Sequence, residues 1–376
     1  MLTSLGFSCD GFDYGIAAEA KEFDGINQYI RITDIDDDSS SYTSRNSVSP
    51  SFLDENCVCI ENDILFARTG ASTGKTYLYN RNDGKLYFAG FLIRANVKPI
   101  FDPYFVFTMT KTSRYANWIK IMSARSGQPG INAQEYKTFS FYHPSLKTQN
   151  KISKFIKNID KRIQTQSKII EDLKLLKFRL IDSLIGENIP NCIFENLYNF
   201  ASEGGTPSTS KMQYYENGTI PFVKIDDLKE KYLQENRDYI TEDGLSNSSA
   251  WLIPTNSIIY SNGATIGKLS INTYPIATKQ GILGIIPSKL VIPEYMYYFM
   301  QSKYFRKEVH KITVKGTMDC AYLKDLSKIK CYIPSIKEQE KDIDILNCLD
   351  EKIKIEYILI KKYKEQKKFL LSNMFI

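Results

Sequence analysis

The stretch that comes nearest to a catalytic or cofactor motif is Gly70 to Thr76, GASTGKT. A nucleotide-binding P-loop wraps a phosphate in successive backbone N–H groups and needs four residues between its glycines. Here there are three, and the second copy, GATIGKL at Gly263 to Leu269, has no Ser or Thr after its lysine to hold magnesium. Both are read instead as tight turns after a strand, each with its lysine exposed. Asp102-Pro-Tyr-Phe105 has the outline of the amino-methyltransferase tetrapeptide but lacks its second proline, and no Gly-rich cofactor turn follows a strand. A proline in a first helical turn is the simpler account. His143 and His310 are too far apart in sequence for a close-spaced metal pair, and the seven cysteines are odd in number and show no CxxC spacing. No nucleophile, base and orienting partner form a recognisable set. The residues point to binding, with no metal and no cofactor.

A Gly-Lys turn can still offer backbone N–H groups, and Lys75 or Lys268, to a phosphate of DNA, a contact that positions without reading sequence. The turns belong to segments rich in short strands. Tyr29 to Ile35 alternates apolar and polar residues as a strand, Asp36 to Ser44 (DDDSSSYTS) is a polar loop, and Cys57 to Ala67 is a strand pattern leading into the Gly-rich turn. Pro103 to Trp118 reads as one aromatic-rich helix, Ser126 to Gly130 as a turn, and Phe139 to His143 as a strand. The order then repeats. Pro221 to Leu228 matches the first strand and Gly263 to Lys268 the turn, each 193 residues on; the segment from Pro293 matches that from Pro103 190 residues on. Lys315-Gly316 stands before the last strand much as Ser126-Gly127 does.

Each copy runs into a long amphipathic stretch. From Pro144 to Gly186 the seam is Ile156, Ile159, Ile163, Ile170, Leu173, Leu180 and Leu184, interrupted by Gln166 and Lys177. From Pro334 it is Leu346, Leu349, Ile353, Ile360, Tyr363, Leu370 and Met374, interrupted by Glu356 and Lys367. Both open with Pro-Ser, an apolar residue, Lys, and a Gln two further on; Ser335 and Glu338 fit a capping box. Paired in parallel, Lys177 and Lys367 would meet in the seam, which is costly. Paired antiparallel about Ile170 and Ile360, each lysine opposes Ile353 or Ile163 and can extend its ammonium to solvent. An antiparallel pair on the order of 60 Å long is therefore expected, against the plainer alternative that each helix packs only on its own domain.

The chain has 376 residues, 13% of them aromatic, most of which must serve packing. It shows neither a run of apolar residues long enough to span a bilayer nor a secretion signal at its start, so a cytoplasmic protein with no membrane partner is expected. The net charge of +6 resolves by segment into −2 for residues 1–144, +6 for 145–186, +1 for 187–334 and +1 for 335–376. The excess lies on the first long helix, and nucleic-acid contacts elsewhere must use local patches.

With its order of GGTPS at Gly204 to Ser208, IPFVKIDDL at Ile220 to Leu228, both GA-[ST]-x-GK turns and P-S-[LI]-K-x-Q opening each helix, the chain resembles the specificity subunit of type I restriction-modification systems over nearly its whole length. The resemblance implies an α+β fold. Residues 1–144 and 187–334 would be target recognition domains, each reading half of a bipartite site in double-stranded DNA. The helices, 145–186 and 335–376, would form an antiparallel coiled coil that acts as a ruler and docks two modification (methyltransferase) subunits. Adenine methylation and ATP-dependent cleavage would belong to the modification and restriction subunits. The first lobe departs from the pattern: Tyr14-Gly-Ile-Ala-Ala18 stands where GGTPS would be. Candidate DNA contacts are Arg68, Lys75, Arg125 and Gln128 in the first lobe and Lys224, Asn262, Lys268, Lys279 and Lys315 in the second. Arg, Gln and Asn suit base edges, and Lys suits phosphate. A coiled-coil adaptor that binds only proteins is the competing reading, favoured by the near-neutral lobes.

Overall fold

Asp63 to Ala67 is buried at all five positions because its sheet is covered on both faces. The computed structural model describes residues 1–124, 128–186, 189–263, 265–314 and 319–373. The chain divides into two compact units, residues 1–168 with the C-terminal stretch from Ile358, and Ile169–Tyr357. In the first, Asp63–Ala67 lies between Leu92–Val97 and Thr76–Leu78, with Cys9–Tyr14 at one edge, all antiparallel. Ile64 and Phe66 pack on one face with Phe105, Tyr136 and Phe139, while Leu65 and Ala67 pack on the other with Tyr29, Tyr77 and Tyr87. Such strands read as unbroken apolar runs, and each buried aromatic contributes roughly 1.5–3 kcal/mol.

The second unit repeats the plan. Ile258–Ser261 lies between Ile282–Pro287 and Leu269–Asn272, flanked by Tyr198–Glu203 and by the short strand Tyr232–Leu233, which pairs in parallel. Ile258 and Tyr260 join a core with Tyr295 and Phe305, and Ile259 joins another with Val223 and Ile253.

Two local expectations are corrected. The strand expected over Tyr29–Ile35 ends at Ile30, and Ile32–Asp34 is a 3-10 turn in which the Asp34 carboxylate accepts bonds from the Arg31 backbone N–H and guanidinium. Its copy does the same, with Asp227 accepting from the Lys224 N–H. The single helix expected over Pro103–Trp118 is two, Pro103–Met109 and Ser113–Met122. The hydroxyls of Thr108, Thr110 and Thr112 bond back to carbonyls three or four residues earlier, which competes with continuing the helix. Thr112 then caps the second helix.

The long helices are Leu146–Ile181, continued by a π turn to Gly186, and Ile336–Asn373. Within the first unit Lys367 Nζ lies 2.5 Å from Asp160 and Arg162 lies over Tyr363. Within the second, Lys177 bonds Asp350 and Lys174 lies over Tyr357. In each unit one helix advances as the other recedes, so the pairing is antiparallel. All thirteen described seam residues are buried or half-buried; Met374 lies outside the described residues. The lysines do not send their ammonium groups to solvent along an isoleucine. Each is largely buried and paired with an aspartate of the other helix, three residues before the isoleucine expected to face it.

The helices also grip the lobes. The Gln149 side chain accepts from the Asp102 N–H at 3.0 Å and donates to the Pro144 carbonyl at 3.0 Å. Gln339 accepts from the Ile292 N–H at 2.9 Å and donates to Pro334 and Leu290. This is the work of the glutamine in P-S-[LI]-K-x-Q. Of the capping box, one half forms: Glu338 accepts from the Ser335 N–H and hydroxyl. Among the described residues no helix is long and apolar enough to cross a membrane.

Candidate nucleic-acid interface

Each Gly-Lys turn joins two antiparallel strands, whereas a P-loop opens a helix. In the first lobe Gly70 and Gly74 have φ of 77° and 91°, the left-handed region that favours glycine. The Gly74 N–H bonds the Ala67 carbonyl at 2.9 Å, closing the turn. The loop before Ala133 is pinned beside it, because the Ile131 N–H bonds the Arg68 carbonyl and the Gly70 N–H bonds the Pro129 carbonyl. Exposed Gln128 therefore stands next to Gly70. The Arg68 guanidinium lies 4.8 Å from the centre of the Tyr14 ring, which is 45% exposed. Arg68, Tyr14 and Gln128 thus form one edge able to present a cation, an aromatic face and a carboxamide. Arg125 lies outside the described residues.

Lys75 is not the exposed lysine expected. Its ammonium donates to the Ile35 carbonyl at 2.7 Å and pairs with Asp37 at 2.6 Å, and its side chain is only 13% exposed. The polar loop after Ile35 has claimed it.

In the second lobe the turn is one residue shorter. The Ser261 N–H bonds the Lys268 carbonyl as the Ala67 N–H bonds that of Lys75, spans of seven and eight residues. Asn262 consequently occupies the place of Arg68, its carbonyl accepting from the Ala321 N–H. Its side chain turns inward: it is 1% exposed and its amide faces the Ala321 carbonyl at 3.4 Å. Asn262 is therefore not the surface carboxamide expected of a base contact. Lys268 and Lys279 are exposed, and the Lys279 N–H bonds the Val223 carbonyl. Half-buried Lys224 pairs with Asp238 at 2.9 Å. Lys315 lies outside the described residues.

The GGTPS glycines are explained by packing. A Cβ on Gly204 would fall 2.2 Å from the Thr278 carbonyl oxygen, and one on Gly205 2.3 Å from the Ser249 hydroxyl. Gly15 stands equally close to the Phe88 carbonyl, and its N–H bonds Leu92 as that of Gly204 bonds Ile282. The first lobe keeps the structural glycine without the motif. Sequence reasoning missed Tyr14, whose only signal was its place beside that glycine.

These features define one α+β module used twice, each copy carrying a polar turn-and-loop edge and gripped by a long helix. Residues 15–175 and 193–364 both match the type I restriction modification DNA specificity domain, and the chain belongs to that family. It is 30% identical over 153 residues to the EcoR124I/EcoR124II specificity subunit of Escherichia coli, covering 39% of this chain and 37% of that one. To the MjaVIII specificity subunit of Methanocaldococcus jannaschii it is 24% identical over 337 residues, covering 81% and 75%. The match thus spans little more than a third of the E. coli relative and three quarters of the archaeal one. A chain solved in work on complex assembly and conformational transition of the type I R-M system aligns over 99% of this chain and 96% of its own, with a TM-score of 0.63 and 15% identity, a likeness of fold.

Proposed function

We propose that this chain is the non-catalytic DNA-reading subunit of a type I restriction-modification complex. Each lobe reads one half of a bipartite site, the helices set the spacing and dock two methyltransferase subunits, and restriction subunits join through the complex. Methylation and ATP-dependent cleavage take place in those partners, in the cytoplasm where the DNA lies. The observation that carries the reading is the turn-and-loop edge, repeated in backbone but not in side chains: Arg68, Tyr14 and Gln128 in one copy, Lys268 in the other, where Asn262 turns inward. A kept scaffold with different side chains suits two different half-sites. The working division is 1–144 and 187–334 for recognition, 145–186 and 335–376 for spacing and docking. Arg68 and Gln128, with Arg125, are the base-reading set of the first lobe; Lys224, Lys268 and Lys279, with Lys315, are the phosphate-facing set of the second.

The test is footprinting of the chain assembled with its methyltransferase subunits on duplex DNA. Two protected patches separated by an open spacer, with affinity falling as salt rises, are the expected result. One continuous patch, or affinity indifferent to salt, contradicts it.

A further inference from the structure

In the second unit the helix pair and the lobe line an open cavity of about 250 Å³, bordered by Lys174, Lys177, Phe178, Gln301, Arg306 and Asp350 among others. Its carboxylate is engaged, since Asp350 bonds both Lys177 and the Tyr298 hydroxyl. Lys174 and Arg306 are exposed and lie over the Tyr357 and Phe178 rings respectively. Lys231 lies near Lys177 but outside the lining, and burial lowers its pKa. The cavity carries more cationic than anionic groups and is open to a ligand.

The first unit contains the same place, 190 residues removed. Lys364 corresponds to Lys174, Lys367 to Lys177, Asp160 to Asp350 and Lys111 to Gln301. There the chain supplies its own occupant. Asp38 pairs with Lys364 at 2.6 Å, and the Ser40 hydroxyl accepts from Lys111 at 2.7 Å. The loop that carries them is closed on itself, the Asp36 N–H bonding Ser41 and the Ser40 N–H bonding Asp36. In the second unit the corresponding segment brings a cation where the first brings an acid: Lys231 stands in the place of Asp38, and its ammonium donates to the Asn347 carboxamide at 2.5 Å and the Tyr298 hydroxyl at 3.1 Å. The Lys231 carbonyl accepts from the Ile271 N–H, and Tyr232–Leu233 joins the sheet. Among the described residues, nothing from that segment covers Lys174 and Gln301 as Asp38 and Ser40 cover their equivalents.

We infer that the cavity of the second unit receives an acidic, hydroxyl-bearing loop of a protein partner, taking the part that Asp38 and Ser40 play in the first. One carboxylate reaches Lys174 and Arg306, and a hydroxyl meets the Gln301 carboxamide, an arrangement of charge-assisted bonds. A side-chain carboxylate fits a space of this size, and a folded domain does not enter it. This inference is independent of the DNA-reading role.

The probe is a labelled peptide with the sequence from Asp36 to Ser44, titrated by fluorescence anisotropy into the full-length chain at low salt. Saturable binding is expected, falling about tenfold for Lys174→Ala and for Arg306→Ala, as removal of a bond between charged groups requires. Lys307→Ala, on the same helix but outside the lining, should leave it unchanged, and a peptide with Asp38→Asn should bind more weakly. Absence of saturable binding at millimolar peptide overturns the inference, and so does equal weakening by Lys307→Ala. A short DNA duplex that binds through Arg306 where the peptide does not would make the cavity a phosphate site and overturn it too. DNA affinity measured on the same variants separates this outcome from failure of the DNA-reading role.

Discussion

Lys177 of the first long helix bonds Asp350 of the second, and 190 residues away Lys367 of the second bonds Asp160 of the first. The same pair recurs with the two helices exchanging donor and acceptor. A tyrosine hydroxyl completes each: Tyr298 donates to Asp350 and Tyr104 to Asp160. The tyrosines come from the sixth and second residues of corresponding helices, so the carboxylate position was kept while the lobe found a second way to reach it.

Lys177→Met should destabilise the chain by about 2 kcal/mol, since it leaves the Asp350 carboxylate with only the tyrosine in a largely buried place. Lys177→Met with Asp350→Leu should cost less than the two single changes summed. Urea midpoints of the three variants check this; simple additivity contradicts the pairing.

Gln339→Ala should cost about 2–3 kcal/mol. It strands the Ile292 N–H and two carbonyls that its fully buried carboxamide satisfies. Gln339→Glu should do little better, because the carboxylate supplies no donor for those carbonyls. Thermal unfolding distinguishes this from a surface glutamine, whose removal would be nearly silent.

Lys111 gives a pH signature. Burial first, and then the nearby Lys367 charge, lower its pKa to about 7, with Asp160 opposing and Lys75 adding to the depression. Its ammonium bonds Thr76 and Ser40 hydroxyls and a carbonyl, with no carboxylate at bonding distance among the described residues. A lysine whose folded pKa lies below its unfolded value makes the unfolded chain bind more protons between about pH 7 and 10.5, so this group's contribution to stability rises with pH across that window. Lys111→Met should flatten that slope relative to the parent without lowering stability at neutral pH. Denaturant midpoints of both proteins at pH 7 and 9 measure the difference, and parallel profiles contradict it.

The two lobes should respond differently to surface substitution. Arg68→Ala with Gln128→Ala should relax base preference in one half-site, at about 1–3 kcal/mol for each bidentate pairing removed. Lys268→Ala with Lys279→Ala should weaken all sequences alike and reduce the salt slope by about one per phosphate contact. Binding to duplexes altered in one half-site at a time, across a salt series, checks both.

The helix pairing was legible because seams and polar interruptions follow from side-chain chemistry at fixed spacing, and so was the duplication. What stayed hidden depends on residues remote in sequence. Lys75 looks exposed until Asp37 and the Ile35 carbonyl are brought to it. Asn262 looks like a surface carboxamide until a turn one residue shorter points it inward. Gln149 and Gln339 were visible as a motif, but their purpose lay in backbone groups about fifty residues upstream. Tyr29 to Ile35 alternates like a strand, and only the Arg31 and Asp34 bonds reveal the turn.

The central claim is that this chain chooses the DNA sequence for a methyltransferase that does not choose it alone. Single-molecule sequencing of DNA from cells holding the chain with its neighbouring methyltransferase, beside cells lacking only the chain, tests it most directly. The account predicts a two-part adenine-methylated motif that disappears with the chain. An identical methylation pattern in both would contradict it.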